Sequence, residues 1–258
     1  MDSAESPAGF ALTVCADSAE ACERAASLIL EQRLGAAAPL PLGLATGRTM
    51  EPLYRALAVQ VAALPPLRRQ AVLAGWESFN LDEYLGLPAD DPRSFAAFMG
   101  RHLVAPLQLD PARVRLPNGT AADPQLEARQ YGQTLRACGG IGLQILGLGL
   151  NGHVGFNEPP CAADARCRVV DLSSSTRLQN AEAFGGDPAA VPARAISLGL
   201  AEILAAERIL LVVTGAAKAQ VLARLLHQPP SPQLPASWLK QHPAVTVLAD
   251  QAALDARG

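Results

Sequence analysis

A histidine and a carboxylate set among glycines and amides are the residues of this sequence best suited to moving protons. They occur in Gly147-Leu148-Gly149-Leu150-Asn151-Gly152-His153-Val154-Gly155-Phe156-Asn157-Glu158-Pro159. An imidazole titrates near neutrality, and a carboxylate beside it can orient it. The four glycines of this stretch let the chain turn sharply and let a ligand approach the backbone. Three other short stretches carry reactive or binding groups. Asp82 and Glu83 follow an apolar run over 76–81, where strand alternation sends neighbouring side chains to opposite sides. One acid can then face a site while the other supports the loop. Thr46-Gly47-Arg48-Thr49 lies between an apolar run and a helical pattern. Unpaired N–H groups, the helix dipole and hydroxyls can hold a phosphate there, although a tight turn with a capping threonine uses the same residues. Lys218 follows Thr214-Gly215 at another strand exit, as a phosphate partner or as a surface residue of the next helix. The turn at 46–49 lacks the glycine spacing of either nucleotide fingerprint, so ATP and NAD are not expected.

These residues need a frame. Apolar runs at 10–15, 38–44, 76–81, 141–145, 208–213 and 245–248 read as strands, with a further strand at 167–172, a short one at 114–117, and a strand-like start to the stretch 196–204. Helical patterns lie between them, at 17–34, 52–61, 91–107, 124–138, 177–184, 216–226 and 236–242. Phe95, Phe98, Met99 and Leu103 form a stripe that belongs to the core, and His102 reads as structural or exposed. Single strands alternating with helices imply an α/β fold with parallel units and helices on both faces of one sheet. In such a sheet the exits near 46, 82, 151 and 215 share the carboxyl edge, where ligands bind.

Half of the 258 residues are hydrophobic and the net charge is −3, which provides a sizeable core and no basic stripe for nucleic acid. No apolar run is long enough to span a bilayer, and no basic region precedes an apolar one at the N-terminus. Five cysteines without Cys-x-x-Cys spacing suit reduced thiols. A cytoplasmic protein with a tail at 1–9 and one domain at 10–258 is expected.

Gly43-Leu44-Ala45-Thr46-Gly47, Phe79-Asn80-Leu81-Asp82-Glu83-Tyr84, the run from Gly149 to Pro159, and Leu234-Pro235-Ala236-Ser237 together resemble the glucosamine-6-phosphate deaminase (isomerase) family. The resemblance extends over nearly the whole chain beyond the tail. It implies a Rossmann-like three-layer α/β/α fold with a mainly parallel central sheet. It also implies conversion of an amino sugar 6-phosphate, glucosamine 6-phosphate, to fructose 6-phosphate and ammonia, with no metal and no organic cofactor. In that chemistry His153, oriented by Glu158, moves a proton from the anomeric hydroxyl to the ring oxygen. Asn151 stands where relatives carry Asp or Asn, and the Asp matching Asp82 moves hydrogen from C2 to C1. Thr46, Gly47, Arg48, Thr49 and Lys218 are implied phosphate ligands, with Glu83, Gly149 and Gly152 also against the substrate. Related proteins differ in oligomeric state, which leaves a homo-oligomer open.

Two positions depart from the family. Glu182 occupies the place of an arginine that many relatives turn on the phosphate, and a carboxylate repels a dianion. Either Arg48 supplies the missing charge or the site suits another substrate, such as galactosamine 6-phosphate giving tagatose 6-phosphate. Val170 stands where activator-regulated members have a lysine, so that form of allostery is not expected. The rivals are 6-phosphogluconolactonase and a silent sugar-phosphate binder. Lactonase loops resemble Asp-Gly-His-Thr followed by Ser-Leu-Phe, unlike Phe156-Asn157-Glu158-Pro159, and a binder has no need of an enolising base.

Overall fold

The computed structural model describes residues 4–5, 10–35 and 39–255. Its strands are β1 (Ala4–Glu5), β2 (Ala11–Cys15), β3 (Leu42–Leu44), β4 (Ser78–Asn80), β5 (Asp82–Tyr84), β6 (Val114–Arg115), β7 (Leu143–Gly147), β8 (Arg168–Asp171), β9 (Arg194–Ser197), β10 (Arg208–Val213) and β11 (Val245–Asp250). The main sheet has the order β1-β2-β11-β10-β7-β3-β4-β6, parallel throughout except for β1. Its central strands β7, β10 and β11 are mostly apolar, as suits strands covered on both faces, and helices flank the sheet. The helix Ser18–Leu34 starts where the Asp17 carboxylate accepts from Glu20 N–H at 2.9 Å. Asp123 does the same for Pro124–Ala137, accepting from Gln125 and Leu126 at 3.0 Å each. The core runs from Phe10 to Ala253 through every central strand.

Three local expectations change. The first concerns a second, antiparallel sheet of order β5-β9-β8, which a single sheet did not anticipate. Its strands carry polar and charged residues, Asp82 and Glu83, Arg168 and Asp171, Arg194 and Ser197, which suit an accessory sheet better than a central one. Leu81 joins the two sheets, with its N–H donating to Leu44 O at 2.9 Å and its carbonyl accepting from Leu198 N–H at 2.7 Å. The second is the helix expected over 91–107, which begins at Phe95 with Ser94 as its cap and contains a π turn, Gly100–Val104. The third is the segment after β8, which is α-helical over Ser174–Asn180 and 3-10 over Ala181–Phe184. Within the expected tail, Ala4–Glu5 pairs with Ala11 and Leu12, while 1–3, 6–9 and the start of the 38–44 run lie outside the described residues.

Candidate active site

β10, β7, β3 and β4 are neighbours in the sheet, so the four strand exits that carry the reactive residues lie side by side. They open on one cleft of about 840 Å³, bordered by Thr46, Asp82, His153, Phe156, Glu182 and Lys218 among others.

The loop after β7 holds His153 by its backbone. A Cβ at Gly149 would collide with the imidazole ring, so only glycine lets the ring lie against this stretch of chain. His153 Nδ1 lies 2.7 Å from Asn151 Oδ1, and Asn151 Nδ2 donates to Glu158 Oε2 at 2.7 Å. A carboxylate only accepts, so the amide NH₂ must face Glu158 and the amide oxygen must face His153. Nδ1 of the neutral ring therefore carries the proton, which leaves Nε2 bare as an acceptor. Glu158 Oε2 is 3.7 Å from Nδ1, beyond hydrogen-bond reach, so Glu158 orients the histidine through Asn151 rather than directly. Burial lowers the His153 pKa, Glu158 opposes this, and the Lys218 charge adds to it. Gly152, expected against the substrate, is turned onto the segment 234–237 instead. It has φ +90°, a Cβ there would strike Leu234, and its carbonyl accepts from Ala236 N–H at 2.9 Å.

Asp82 and Glu83 divide as strand alternation requires. Asp82 borders the cleft while being only 5% exposed, and burial, with the charge of Glu83, pushes its pKa up to about 8. Glu83, expected among the substrate contacts, is absorbed by backbone. Its carboxylate accepts from Tyr84 N–H at 2.8 Å, Phe95 N–H at 2.9 Å and Ala96 N–H at 2.8 Å. Burial raises its pKa against the pull of these donors. Glu83 therefore fixes β5 to the start of the helix Phe95–Met99. Glu83→Ala strands one buried and two half-buried donors and is expected to destabilise the fold by about 2–4 kcal/mol, read from urea unfolding.

At the other end of the cleft, Thr49 occupies the N-cap position of the helix Met50–Ala62 without a side-chain capping bond, so capping does not occupy its hydroxyl. Gly47 has φ +109° and its carbonyl accepts from Met50 N–H at 2.9 Å, which closes the turn. Lys218 stands at the start of the helix Ala219–His227, and burial, with Arg48 nearby, lowers its pKa to about 8. Arg48 Nη1 pairs with Glu182 Oε2 at 3.2 Å, both side chains nearly four-fifths exposed. The cation of the turn and the anomalous carboxylate thus meet at the mouth of the cleft.

Several neighbours of this site were not expected there, among them His102, expected to be structural or exposed, and Phe95, expected in the core. The π turn brings Arg101 and His102 to the cleft, and His102 Nε2 lies 3.3 Å from Glu51. Thr176 Oγ1 is 3.4 Å from His153 Nδ1, and Ser173 N–H reaches Glu158 Oε1 at 3.4 Å. Tyr84, Phe95, Phe156 and Phe184 pack as one aromatic group with centroid separations of 4.6–5.8 Å, and the first three border the cleft. Only long-range pairing brings these residues together, and no local pattern signals it. Among the described residues, no group of three or more His, Cys, Asp or Glu side chains is arranged to hold a metal ion, and no helix is long and apolar enough to cross a membrane.

A profile of the family of glucosamine-6-phosphate isomerases and 6-phosphogluconolactonase matches residues 14–248. The chain is 43% identical over 242 residues to a glucosamine-6-phosphate deaminase of Rhodopirellula baltica, covering 94% of both chains. It is 41% identical over 234 residues to glucosamine-6-phosphate deaminase 2 of Bacillus subtilis, covering 90% of this chain and 91% of that one. A solved structure described as a monomeric glucosamine-6-phosphate deaminase superposes with a TM-score of 0.89 at 36% identity, covering 95% of this chain and 99% of that one. A 6-phosphogluconolactonase from Trypanosoma cruzi superposes with a TM-score of 0.74 at 20% identity, covering 95% and 96%, a likeness of fold alone.

Proposed function

This chain belongs to the family of glucosamine-6-phosphate isomerases and 6-phosphogluconolactonases, and we propose that it is a glucosamine-6-phosphate deaminase, converting glucosamine 6-phosphate and water to fructose 6-phosphate and ammonia. The observation that carries this reading is one cleft bordered by a buried carboxyl, a histidine with a bare Nε2, and a helix-start turn beside a lysine.

The 6-phosphate lies at the turn Thr46-Gly47-Arg48-Thr49, with Lys218 opposite, and anchors the sugar so that its reacting carbons are held in place. His153 Nε2 takes the proton of the anomeric hydroxyl and returns it to the ring oxygen, opening the pyranose. Asp82, as carboxylate, removes the C2 proton to give an enolamine and returns a proton to C1. The resulting C2 iminium adds water and expels ammonia. Gly149 keeps the imidazole in place, and all of these groups come from one chain, so the reading needs no second subunit. Residues 10–258 act as one domain, and the five free thiols support a reducing compartment, the cytoplasm.

Arg48 supplies charge at the phosphate end, with Glu182 holding it at the cleft mouth in the free protein. Loss of a charge-assisted hydrogen bond raises KM roughly 10- to 100-fold. Arg48→Ala is expected to show that rise with kcat little changed, in steady-state ammonia release. The proposed reaction itself is tested by ammonia release from glucosamine 6-phosphate and galactosamine 6-phosphate in parallel. Release from the glucosamine epimer supports the reading, and preference for the galactosamine epimer shifts the substrate. Release from neither by folded protein that binds phosphosugars defeats the enzyme reading.

A further inference from the structure

Asp82 and the His153 loop reach the cleft from different strands, and proton transfer requires them in fixed register. The small sheet supplies that register. Asp82 of β5 pairs with Ser197 of β9, and Ser197 pairs in turn with Arg168 of β8. Residues paired across antiparallel strands share a face, so Asp82, Ser197 and Arg168 form one row. Three consecutive residues of the loop lie along this row. A Cβ built at Gly155 would stand 3.5 Å from Asp82 Oδ2 and 3.3 Å from Ser197 Oγ. Phe156 N–H donates to Ser197 Oγ at 3.2 Å. Asn157 Oδ1 accepts from Arg168 Nη1 at 3.0 Å.

Asn157 is fully buried, and its amide is committed. Nδ2 donates to Val154 O and to Leu198 O at 2.9 Å each, tying the loop to the residue that follows β9. Arg168 is held in turn, with Nη1 also donating to Arg166 O at 3.1 Å and Nη2 lying 3.5 Å from Cys161 Sγ. Glu158 follows Asn157 directly, so its place behind Asn151 and His153 depends on this anchorage. None of these bonds is made by a group bordering the phosphate end of the cleft.

We propose that Ser197 and Arg168 are positioning residues that set the histidine loop in register with the Asp82 carboxyl, a role that rests on the reading of Asp82 and His153 as the proton-moving groups. Their loss displaces the loop relative to the base and leaves phosphate binding in place. A displacement of about 1 Å at reacting groups costs up to about 100-fold in rate.

The test is steady-state ammonia release from glucosamine 6-phosphate by wild type, Ser197→Ala, Arg168→Met, Arg168→Lys and Asp82→Asn, with a thermal midpoint for each. Positioning predicts kcat lowered by about 10- to 100-fold in Ser197→Ala and Arg168→Met, with KM within about 3-fold of wild type. Arg168→Lys retains a donor and recovers part of that loss. A kcat within about 2-fold of wild type in Ser197→Ala overturns the inference, as does a fall in kcat matched by a proportional rise in KM. If Arg168→Met does not fold, Ser197→Ala decides alone. An active Asp82→Asn removes the reading beneath the inference and the inference with it. An inactive Asp82→Asn beside an unaffected Ser197→Ala removes the inference only.

Discussion

Asp82→Asn is expected to lower kcat for ammonia release by about 10³- to 10⁴-fold while binding of a phosphosugar analogue stays close to wild type. The amide matches the carboxylate in size, so the cleft keeps its shape and loses only its base. Among the groups bordering the cleft, Asp82 is the carboxyl whose burial has raised its basicity, to about 8, and a stronger base is better matched to a carbon acid. The same burial costs stability, and its pH dependence has a definite sign. An ordinary aspartate in the unfolded chain loses its proton near pH 3.9, whereas the folded Asp82 keeps it up to about 8. Stability associated with the protonated form is thus complete below the unfolded value, declines as pH rises between the two, and is lost above the folded value. Asp82→Asn does not titrate. Its thermal midpoint should exceed that of wild type by a margin that widens from acid pH to about pH 8 and then levels, roughly 2–4 °C for each kcal/mol. A variant that is slower and more heat-stable, with its advantage growing towards alkaline pH, identifies a group retained for chemistry. An unchanged rate would remove Asp82 as the base.

His153→Gln should lower kcat about 10²- to 10³-fold, less than the loss at Asp82. Ring opening also proceeds slowly without a catalyst, so substrate that opens in solution can still reach the base, whereas removal of the C2 proton has no comparable bypass. Glutamine fills much of the imidazole volume and can keep the contact to Asn151, but it cannot take a proton. Asn151 and Glu158 fix the tautomer of His153 through two bonds of 2.7 Å each, and burial keeps the ring neutral at pH 7 by lowering its pKa. Steady-state rates on freshly dissolved and fully equilibrated sugar provide the check. A rate equal to wild type in the variant would take ring opening away from His153.

The catalytic end of the cleft was legible from residue types because glycines, an imidazole and acids at strand exits have few other uses together. Asp82 and His153 border one cleft as their places at exits on the same edge of the sheet, β4 and β7 on either side of β3, required. Gly149 lies against the histidine ring, a contact that accounts for its being glycine. Less legible was the division of labour within each stretch. Glu83 and Gly152 sit in the right motifs but serve the backbone of Phe95 and Ala96 and the segment 234–237, and only hydrogen bonds to Phe95, Ala96 and Ala236 reveal this. The small antiparallel sheet was hidden because β8 and β9 read locally like further members of a parallel series. Ser197 and Arg168 carry no signal of their own, since their importance lies in register between positions 29 apart in the chain, 197 − 168. At the phosphate end, Glu182 looked incompatible with an anion until its pairing with Arg48 gave it a partner.

Glucosamine 6-phosphate deuterated at C2 provides the most direct measurement, with the product followed by NMR alongside ammonia release. A carboxyl as enclosed as Asp82 should pass part of the label to C1 of fructose 6-phosphate before water exchanges it, turnover should slow relative to unlabelled sugar, and Asp82→Asn should abolish the transfer. Ammonia released with deuterium still at C2, or undiminished transfer in Asp82→Asn, would contradict isomerisation by this site.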